Sequence, residues 1–156
     1  MIIRQIEEKD YEAFKGLFEE AYGEYLKSLK DMDPQKYRKE LEEGRKVTRA
    51  RFEFYLKIGS SFVAEDSKVI GYIVSQTLNF MRGFDRLLWI EYVVVKKKFR
   101  RQGIGFALLL KLIEYAKRSN IDRIYTTINP DNKASIKLHL KAGFDVKNWR
   151  TASYSV

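Results

Sequence analysis

One stretch of the chain, residues 87–119, constrains the fold more than any other. Residues 87–95 read Leu-Leu-Trp-Ile-Glu-Tyr-Val-Val-Val, an almost entirely apolar run that is typical of a central strand buried on both faces. Residues 103–119 carry leucine, isoleucine and alanine at helical spacing, with charged side chains elsewhere, which predicts an amphipathic helix. The chain is therefore predicted to contain a sheet whose central strand leads into a helix.

Three further helices are predicted from their start and stop signals. Asp10 is a candidate N-cap for the first helix. A proline opens the second helix, residues 34–57, which Gly44 is expected to break or bend. Residues 132–142 form the third helix, and the glycine that follows is expected to end it.

Six further strands bring the predicted total to about seven. Residues 62–65 and 69–78 are expected to form an antiparallel hairpin around an Asp-Ser-Lys turn, and residues 81–85 are expected to form a loop. The other predicted strands are residues 2–6, 121–128, 144–149 and 152–156. No linker, repeat or low-complexity segment interrupts the sequence, so a single domain, residues 1–156, is predicted.

Composition limits the chemistry that the chain can perform. The 156 residues are 45% hydrophobic and 33% charged, which is typical of a globular chain. No apolar run is long enough to cross a bilayer and no signal-peptide core is seen, so a cytoplasmic protein without a membrane partner is expected. The absence of cysteine excludes disulfides and thiolate nucleophiles, and a single histidine argues against a metal site. Abundant Lys, Glu and Ile without cysteine also favour a thermophilic source.

The formal charge of +9 suits nucleic acid, an acidic membrane or a small polyanion as a partner. It also fits a surface with surplus lysine. A basic run, Lys-Lys-Lys-Phe-Arg-Arg, occupies residues 96–101. Because two glycines follow this run, we interpret it as a strand-to-helix loop over a small anion, which makes nucleic acid the less favoured partner.

The turn Arg100-Arg101-Gln102-Gly103-Ile104-Gly105 lies between the buried strand and the helix. A helix start presents unpaired N–H groups and the positive end of the helix dipole, and glycine lets an anion approach the backbone. The turn therefore predicts a phosphate site to which the arginines add charge-assisted contacts. The alternative is a turn that only connects strand to helix. Leu108 stands where a dinucleotide fingerprint has its third glycine, and no P-loop lysine follows, so neither of those sites is expected.

Two segments of the chain resemble the GNAT superfamily of acetyl-CoA-dependent N-acetyltransferases. The superfamily pattern Arg/Gln-x-x-Gly-x-Gly/Ala after a buried strand is matched by Arg100, Gly103 and Gly105. Residues 132–144 keep the Asn, the spacing and the Gly-Phe of a second superfamily segment, with His139 where a tyrosine is usual. The resemblance covers roughly residues 60–150, and two motifs at the expected separation are more specific than either alone.

The resemblance implies an α+β fold, arranged like an α/β sandwich, in which helices flank a mixed, mostly antiparallel sheet of about seven strands. Acetyl-CoA would lie where two central strands splay apart, and no metal is implied. Its pantetheine arm would pair with the backbone of Val93, Val94 and Val95, and Asn132 would contact it near the thioester. Its pyrophosphate would be held by Arg100, Arg101, Gln102, Gly103, Ile104, Gly105 and Phe106.

The implied function is that of an N-acetyltransferase, which moves the acetyl group of acetyl-CoA to a primary amine by direct attack in a ternary complex. An amine with an ordinary pKa of about 10.4 must lose a proton, and the leaving thiolate must gain one. Glu91, the one charged residue of the apolar strand, is the candidate base. The alternative is a structural carboxylate paired with an arginine such as Arg82 or Arg86.

His139 is the candidate acid for the thiolate, because the resemblance places it where a tyrosine would serve. The alternatives for this side chain are a hydrogen bond to the sulfur and simple packing beside the cofactor. Tyr92 and Tyr125 are alternative acids from neighbouring strands.

The acceptor is left open by the sequence, since a small amine or polyamine, a lysine side chain and a protein N-terminus all fit. The acidic residues within 30–44 either attract a cationic acceptor or form a solvated helix face, and the solvated face is favoured. Because the usual tyrosine is missing, a non-catalytic module that binds coenzyme A is the alternative function, and a nucleic-acid-binding protein is the third. Many members of the superfamily form homodimers, so a homodimer is also compatible with the resemblance.

Overall fold

The computed structural model describes residues 1–147. Within this part of the chain, five strands and five helices are joined by short loops, and two 3-10 turns precede α1 and α4. In chain order the elements are β1 (Ile2–Gln5), α1 (Tyr11–Met32), α2 (Pro34–Glu43), α3 (Arg49–Ile58), β2 (Phe62–Asp66), β3 (Lys68–Met81), β4 (Phe84–Val95), α4 (Ile104–Arg118), β5 (Arg123–Thr126) and α5 (Lys133–Lys141).

The five strands form one sheet in the order β1-β2-β3-β4-β5. Neighbouring strands are antiparallel except β4 and β5, which run parallel. The prediction of a mixed, mostly antiparallel sheet flanked by helices is therefore confirmed. Within residues 1–147 the sheet has five strands and not the predicted seven, since residues 144–147 of one expected strand are not extended into a ladder. The last expected strand, residues 152–156, lies outside the described residues.

The sheet separates two hydrophobic cores. Alternate residues of a strand face opposite sides, and β3 follows this rule, since Tyr72 packs in one core and Ile73 in the other. Helices α1 and α3 cover the first face with Phe14 and Phe52. Helix α4 covers the second face, where Leu108 is fully buried, as its apolar stripe predicts. Both faces of β4 are thus covered, which explains its apolar sequence.

Residues with positive φ angles end two of the predicted elements. The break expected at Gly44 is confirmed, since its φ of 50° ends α2, and Thr48 caps a separate helix by accepting a hydrogen bond from the Arg51 amide. The loop expected at residues 81–85 is instead a two-residue hairpin turn, formed by Arg82 and Gly83. Both residues have positive φ, as a type I′ turn requires.

Asp10 is not the helix cap that its position predicts. It precedes α1, but its side chain makes no cap hydrogen bond. The carboxylate instead accepts two hydrogen bonds of 2.8 Å from Arg4 and one of 2.8 Å from the Glu7 amide. Burial alone would raise the pKa of Asp10, but the Arg4 guanidinium and the Glu7 amide together hold that pKa below its usual range. The group therefore fastens β1 to the start of α1.

The Arg4–Asp10 pair can be tested through the pH dependence of stability. We expect Asp10→Asn to lower the free energy of unfolding at pH 7 by about 2 kcal/mol. Because the folded pKa of Asp10 is depressed, its stabilisation is complete above about pH 4 and is lost as the pH falls further. The deficit measured by urea unfolding should therefore shrink between pH 4 and pH 2.

The control for this measurement is Asp31→Asn, a change of the same kind at an exposed position of α1. It should alter stability by less than about 0.5 kcal/mol at either pH. An Asp10→Asn deficit of equal size at pH 2 and pH 7 would show that the ion pair is not its source.

Candidate functional site

Strand β4 carries a β-bulge at Glu91. Val74 of β3 pairs with Tyr92, and the next residue, Ser75, pairs with Ile90, so Glu91 has no partner in the ladder. A bulge of this kind bends the strand and re-aims the side chain of the extra residue. On the other side of β4, pairing with β5 runs only as far as Ile90 and Thr126. The two parallel strands therefore separate at the position where the bulge begins.

Beyond the bulge, β4 presents a backbone edge that β5 does not cover. The Lys96 amide donates a 2.8 Å hydrogen bond to the Ile70 carbonyl of β3. Because backbone groups alternate along an antiparallel ladder, Val94 also directs its backbone groups to β3, and those of Val93 and Val95 face the opposite, open side. Of the three valines predicted to pair with pantetheine, two thus have backbone groups on the open edge.

A cavity of about 180 Å³ lies where β4 and β5 diverge. It is lined by residues 90–93 of β4, residues 126–129 that end and follow β5, and Asn132, Ser135 and His139. The two predicted catalytic residues, Glu91 and His139, therefore share one cavity although 48 positions separate them in the sequence (139 minus 91). Among the predicted cofactor contacts, Val93 and Asn132 line the same space.

Glu91 is held by two donors from helix α3. The Tyr55 hydroxyl donates a 2.7 Å hydrogen bond to Oε2, and Arg51 Nη2 donates one of 2.8 Å to the same oxygen. Within the described part of the chain no hydrogen bond ends on Oε1. The alternative interpretation of Glu91, a carboxylate paired with an arginine, thus holds, and the arginine is Arg51.

Tyr55 remains a donor over the whole physiological pH range. It is 1% exposed, and burial together with the hydrogen bond to Glu91 raises its pKa above the ordinary value. Arg51 Nε in turn donates to the Tyr55 hydroxyl at 3.1 Å, so the three side chains form a closed network. Sequence reasoning missed Arg51 and Tyr55. Their i,i+4 spacing places them on one helix face, but that spacing does not identify the residue they face.

His139 is 2% exposed and is anchored through one ring nitrogen. Nδ1 lies 2.8 Å from the backbone carbonyl oxygen of Ser135. Because a carbonyl only accepts, we assign the proton of the neutral ring to Nδ1, which leaves Nε2 as an acceptor. Nε2 is buried and has no hydrogen-bond partner among the described residues. Burial lowers the pKa of His139, and the Ser135 hydrogen bond offsets only part of that change.

Asn132 begins helix α5. Its side-chain oxygen accepts a 3.0 Å hydrogen bond from the Ser135 amide, in the manner of an N-cap. The same residue lines the cavity. Asn132 therefore fixes the start of the helix that carries His139, a role that its place in the motif does not by itself reveal.

The turn before α4 has the geometry of an anion site. Gly103 is the N-cap residue with φ of 81°, and no side chain caps the helix. The first backbone N–H groups of α4 therefore have no intrahelical acceptor, and the positive end of the helix dipole adds to their attraction for an anion. Arg101 also has a positive φ, of 66°, so the chain turns sharply on both sides of Gln102.

Gly105 serves a different purpose from Gly103. A side chain built on Gly105 would come within 3.2 Å of Leu138 on α5, whereas nothing lies within 4 Å of the same position on Gly103. The second glycine thus lets α4 and α5 pack closely. Ile104 is buried in the core under α4, and Phe106 lies beneath the Lys141 ammonium group at 4.7 Å. These two predicted contacts can offer only backbone groups to an anion.

Much of the basic loop is paired with helix α1. Arg100 donates to the Val95 carbonyl through Nε at 2.8 Å and pairs with Glu24 through Nη2 at 2.7 Å. Lys97 donates its backbone amide to Glu20 at 2.9 Å. The predicted phosphate contact of Arg100 is therefore in competition with a structural role, in which the arginine joins the end of β4 to α1.

Two absences hold for residues 1–147. No helix there is long and apolar enough to cross a membrane. No group of three His, Asp or Glu side chains there is arranged to hold a metal ion.

Comparisons with known proteins identify the family of the chain. The sequence profile of the Acetyltransferase (GNAT) family matches residues 12–144. An uncharacterized N-acetyltransferase of Methanocaldococcus jannaschii is 28% identical over 94% of this chain, and the chain spans 63% of that relative's length. A chloroplastic GCN5-related N-acetyltransferase of Arabidopsis thaliana is 31% identical over 41% of this chain and 22% of its own.

Solved structures share the fold at low sequence identity. A Bacillus halodurans protein superposes with a TM-score of 0.75 at 21% identity, covering 100% of this chain and 99% of its own. A Thermus thermophilus protein superposes with a TM-score of 0.72 at 15% identity, covering 100% of this chain and 98% of its own. An aminoglycoside N-acetyltransferase in complex with CoA superposes with a TM-score of 0.68 at 22% identity, covering 99% of this chain and 98% of its own.

The tautomer and the pKa of His139 can be measured directly, because His139 is the single histidine of the sequence. In untagged protein labelled with ¹⁵N at histidine, we expect the neutral ring to carry its proton on Nδ1. We also expect the pKa to lie below the ordinary value of 6.5, since burial disfavours the charged ring. A two-dimensional ¹H–¹⁵N titration measures both. The same protein in urea is the reference, and an Nε2–H ring in the folded state would contradict the assignment.

Proposed function

Because the chain belongs to the acetyltransferase (GNAT) family, we propose that it is an acyltransferase that moves the acetyl group of acetyl-CoA to a primary amine. The observation that carries this proposal is the separation of β4 from β5 at Glu91, which opens a cavity beside an unpaired strand edge. Glu91 and His139, two side chains that can accept or donate a proton, line that cavity. The family, the open strand edge and these two side chains thus support one acetyl-transfer site.

Acetyl-CoA fits three features of the chain. The uncapped start of α4 at Gly103 suits the pyrophosphate, since backbone N–H groups and the helix dipole both favour an anion. The outward backbone groups of Val93 and the Val95 amide suit the amide groups of the pantetheine arm, whereas the Val95 carbonyl already accepts a hydrogen bond from Arg100. Asn132 and His139 lie at the cavity end of that path. When bound, acetyl-CoA supplies an activated acetyl group as a thioester.

Glu91 is the residue that we assign to the amine. A primary amine with a pKa of about 10.4 arrives protonated and must lose a proton before it can attack. Arg51 and Tyr55 fix Oε2 of Glu91, which leaves Oε1 to accept that proton. Because Arg51 and Tyr55 come from α3, the amine side of the cavity is formed by the helices that cover the first face of the sheet.

His139 is the residue that we assign to the sulfur. In its neutral form Nε2 is a bare acceptor, so His139 must first take up a proton before it can give one to the leaving thiolate. Because burial lowers the pKa of His139, the protonated ring is a good proton donor. Glu91 accepts the first proton of the ammonium group and releases it to solvent. His139 takes up the second proton from the nitrogen as the amide bond forms and gives it to the sulfur as the carbon–sulfur bond breaks, in a direct attack within one ternary complex.

The first test is turnover of acetyl-CoA with a panel of amines, followed by release of free thiol. We expect thiol release that depends on the amine, and we expect Glu91→Gln to lower kcat by about 10²–10³-fold with little change in coenzyme A affinity. Glu114→Gln, the same change at an exposed position of α4, is the control and should leave kcat unaltered. Coenzyme A binding without thiol release for any amine would favour the non-catalytic alternative.

The second test concerns His139 alone. His139→Phe keeps an aromatic ring in the same space but removes the proton acceptor. We expect it to lower turnover at saturating acetyl-CoA by at least about tenfold, while coenzyme A affinity measured by calorimetry stays nearly unchanged. His139→Gln, which can still accept a hydrogen bond, should retain affinity but not turnover. An unaltered rate in His139→Phe would remove this residue from the reaction.

A further inference from the structure

We propose that the acceptor is a primary amine that also bears a carboxylate, as an amino acid does, and not a polyamine. This inference rests on the function proposed above and concerns the amine side of the same cavity. It follows from the distribution of charge in what we call the acceptor cluster, which consists of Tyr22, Tyr25, Glu40, Arg45, Arg51 and Tyr92. The cluster joins α1, α2 and α3 to β4 next to Glu91.

The carboxylates of this region are already neutralised by the protein. Glu40 is 5% exposed, and Arg45 Nη2 donates to it at 3.0 Å while the Tyr22 hydroxyl lies 3.2 Å from its other oxygen. Glu91 is bound in the same way by Arg51. A cationic acceptor would therefore find no buried carboxylate without a counter-ion in the cluster.

Two other acidic residues near Glu40 also have partners on α2. Asp33 accepts a hydrogen bond from the Lys36 amide and so caps the helix, and Glu43 pairs with Lys39 at 3.7 Å. This agrees with a solvated and structural helix face. It leaves the exposed Asp31 and Glu42 as the acidic residues of this segment that face solvent, which weakens the sequence-based reason to expect attraction of a polyamine.

The outer layer of the cluster is cationic. The Arg51 guanidinium lies 5.7 Å from the centre of the Tyr92 ring, and the Arg45 guanidinium binds Glu40 in the same cluster. The cluster thus contains two guanidinium groups. The side chains of Arg51 and Arg45 are 39% and 47% exposed, whereas those of the glutamates they bind, Glu91 and Glu40, are 14% and 6% exposed. Lys36 adds a third cation 5.9 Å from the Tyr25 ring.

Both arginines keep donors free for a ligand. A guanidinium has five N–H donors in a planar fork that matches a carboxylate. Arg45 uses Nη2 for Glu40, and Arg51 uses Nε and Nη2 for Tyr55 and Glu91. The remaining donors suit an anion on the solvent side.

The position of Tyr92 connects this anion site to the chemistry. Tyr92 follows Glu91 in β4, and both residues line the cavity that contains His139. An acceptor whose carboxylate lies between Arg45 and Arg51 would therefore have its amine directed toward Glu91. A diamine in the same place would set its second ammonium group against two guanidinium groups, which is electrostatically unfavourable.

The experiment compares matched acceptors by thiol release from acetyl-CoA. One set consists of ω-amino acids of three to six carbons, with the alkylamines and diamines of the same length, and a second set consists of α-amino acids and their primary amides. We expect kcat/KM for the best carboxylate-bearing amine to exceed that of its neutral counterpart by at least about tenfold, and that of the diamine by more. Equal values, or a preference for diamines, would overturn the inference while leaving the acetyltransferase proposal intact.

Variants of Arg45 test whether this residue binds the carboxylate of the acceptor. Arg45→Gln should reduce the preference for the carboxylate about tenfold, and Arg45→Lys should retain part of it, because lysine keeps the charge without the fork. Arg118→Gln removes an arginine that is also paired with a glutamate, at the far end of α4, and should leave the preference unchanged. An unchanged preference in Arg45→Gln would exclude this site for the carboxylate.

A binding measurement keeps the inference testable if no amine is acetylated. Calorimetric titration of coenzyme A-saturated protein with 4-acetamidobutyrate and with N-butylacetamide compares two acetylated products that differ in the carboxylate. Tighter binding of 4-acetamidobutyrate would support the anion site even though the proposed catalysis had failed. Equal binding of the two would overturn it.

Discussion

The whole site depends on the single extra residue in β4. A parallel pair of strands normally stays in register over its length, but here the bulge at Glu91 and the end of pairing at Thr126 fall at the same level. The bend that a bulge produces is what allows β4 to leave β5. Without that separation the backbone groups of Val93 and Val95 would be consumed by a neighbouring strand, and neither an open edge nor a cavity would exist.

The separation has an energetic cost that other contacts offset. Unpaired strand groups and a buried carboxylate each lose solvation. Arg51 and Tyr55 satisfy the carboxylate of Glu91, and Arg100 satisfies the Val95 carbonyl at the end of the open edge. These bonds bring α3 and the loop before α4 to β4 from opposite directions. The contacts that stabilise the opening thus also define its amine side and its phosphate side.

The sequence predicted those features of the fold that depend on a local pattern of residues. The apolar run of β4, the stripe of α4 and the glycine turn at Gly103 were all readable, because periodicity and backbone conformation are encoded within a few residues. The partner of Glu91 was not readable, since Arg51 lies 40 positions away and many arginines compete for the role. The packing role of Gly105 against Leu138 also required the tertiary contact. The roles of Glu91 and His139 in catalysis stay predictions.

The replacement of the usual tyrosine by His139 alters more than the identity of an acid. A tyrosine hydroxyl both donates and accepts, whereas a neutral ring whose Nδ1–H is committed to Ser135 can only accept at Nε2. Leaving such an atom buried without a partner costs about 1–3 kcal/mol. A ligand that donates a hydrogen bond to Nε2 recovers that energy on binding, so the cavity favours a ligand group that carries a proton. The charge of the acceptor is then selected by the guanidinium groups of Arg45 and Arg51, and Arg51 also holds the Glu91 carboxylate in place.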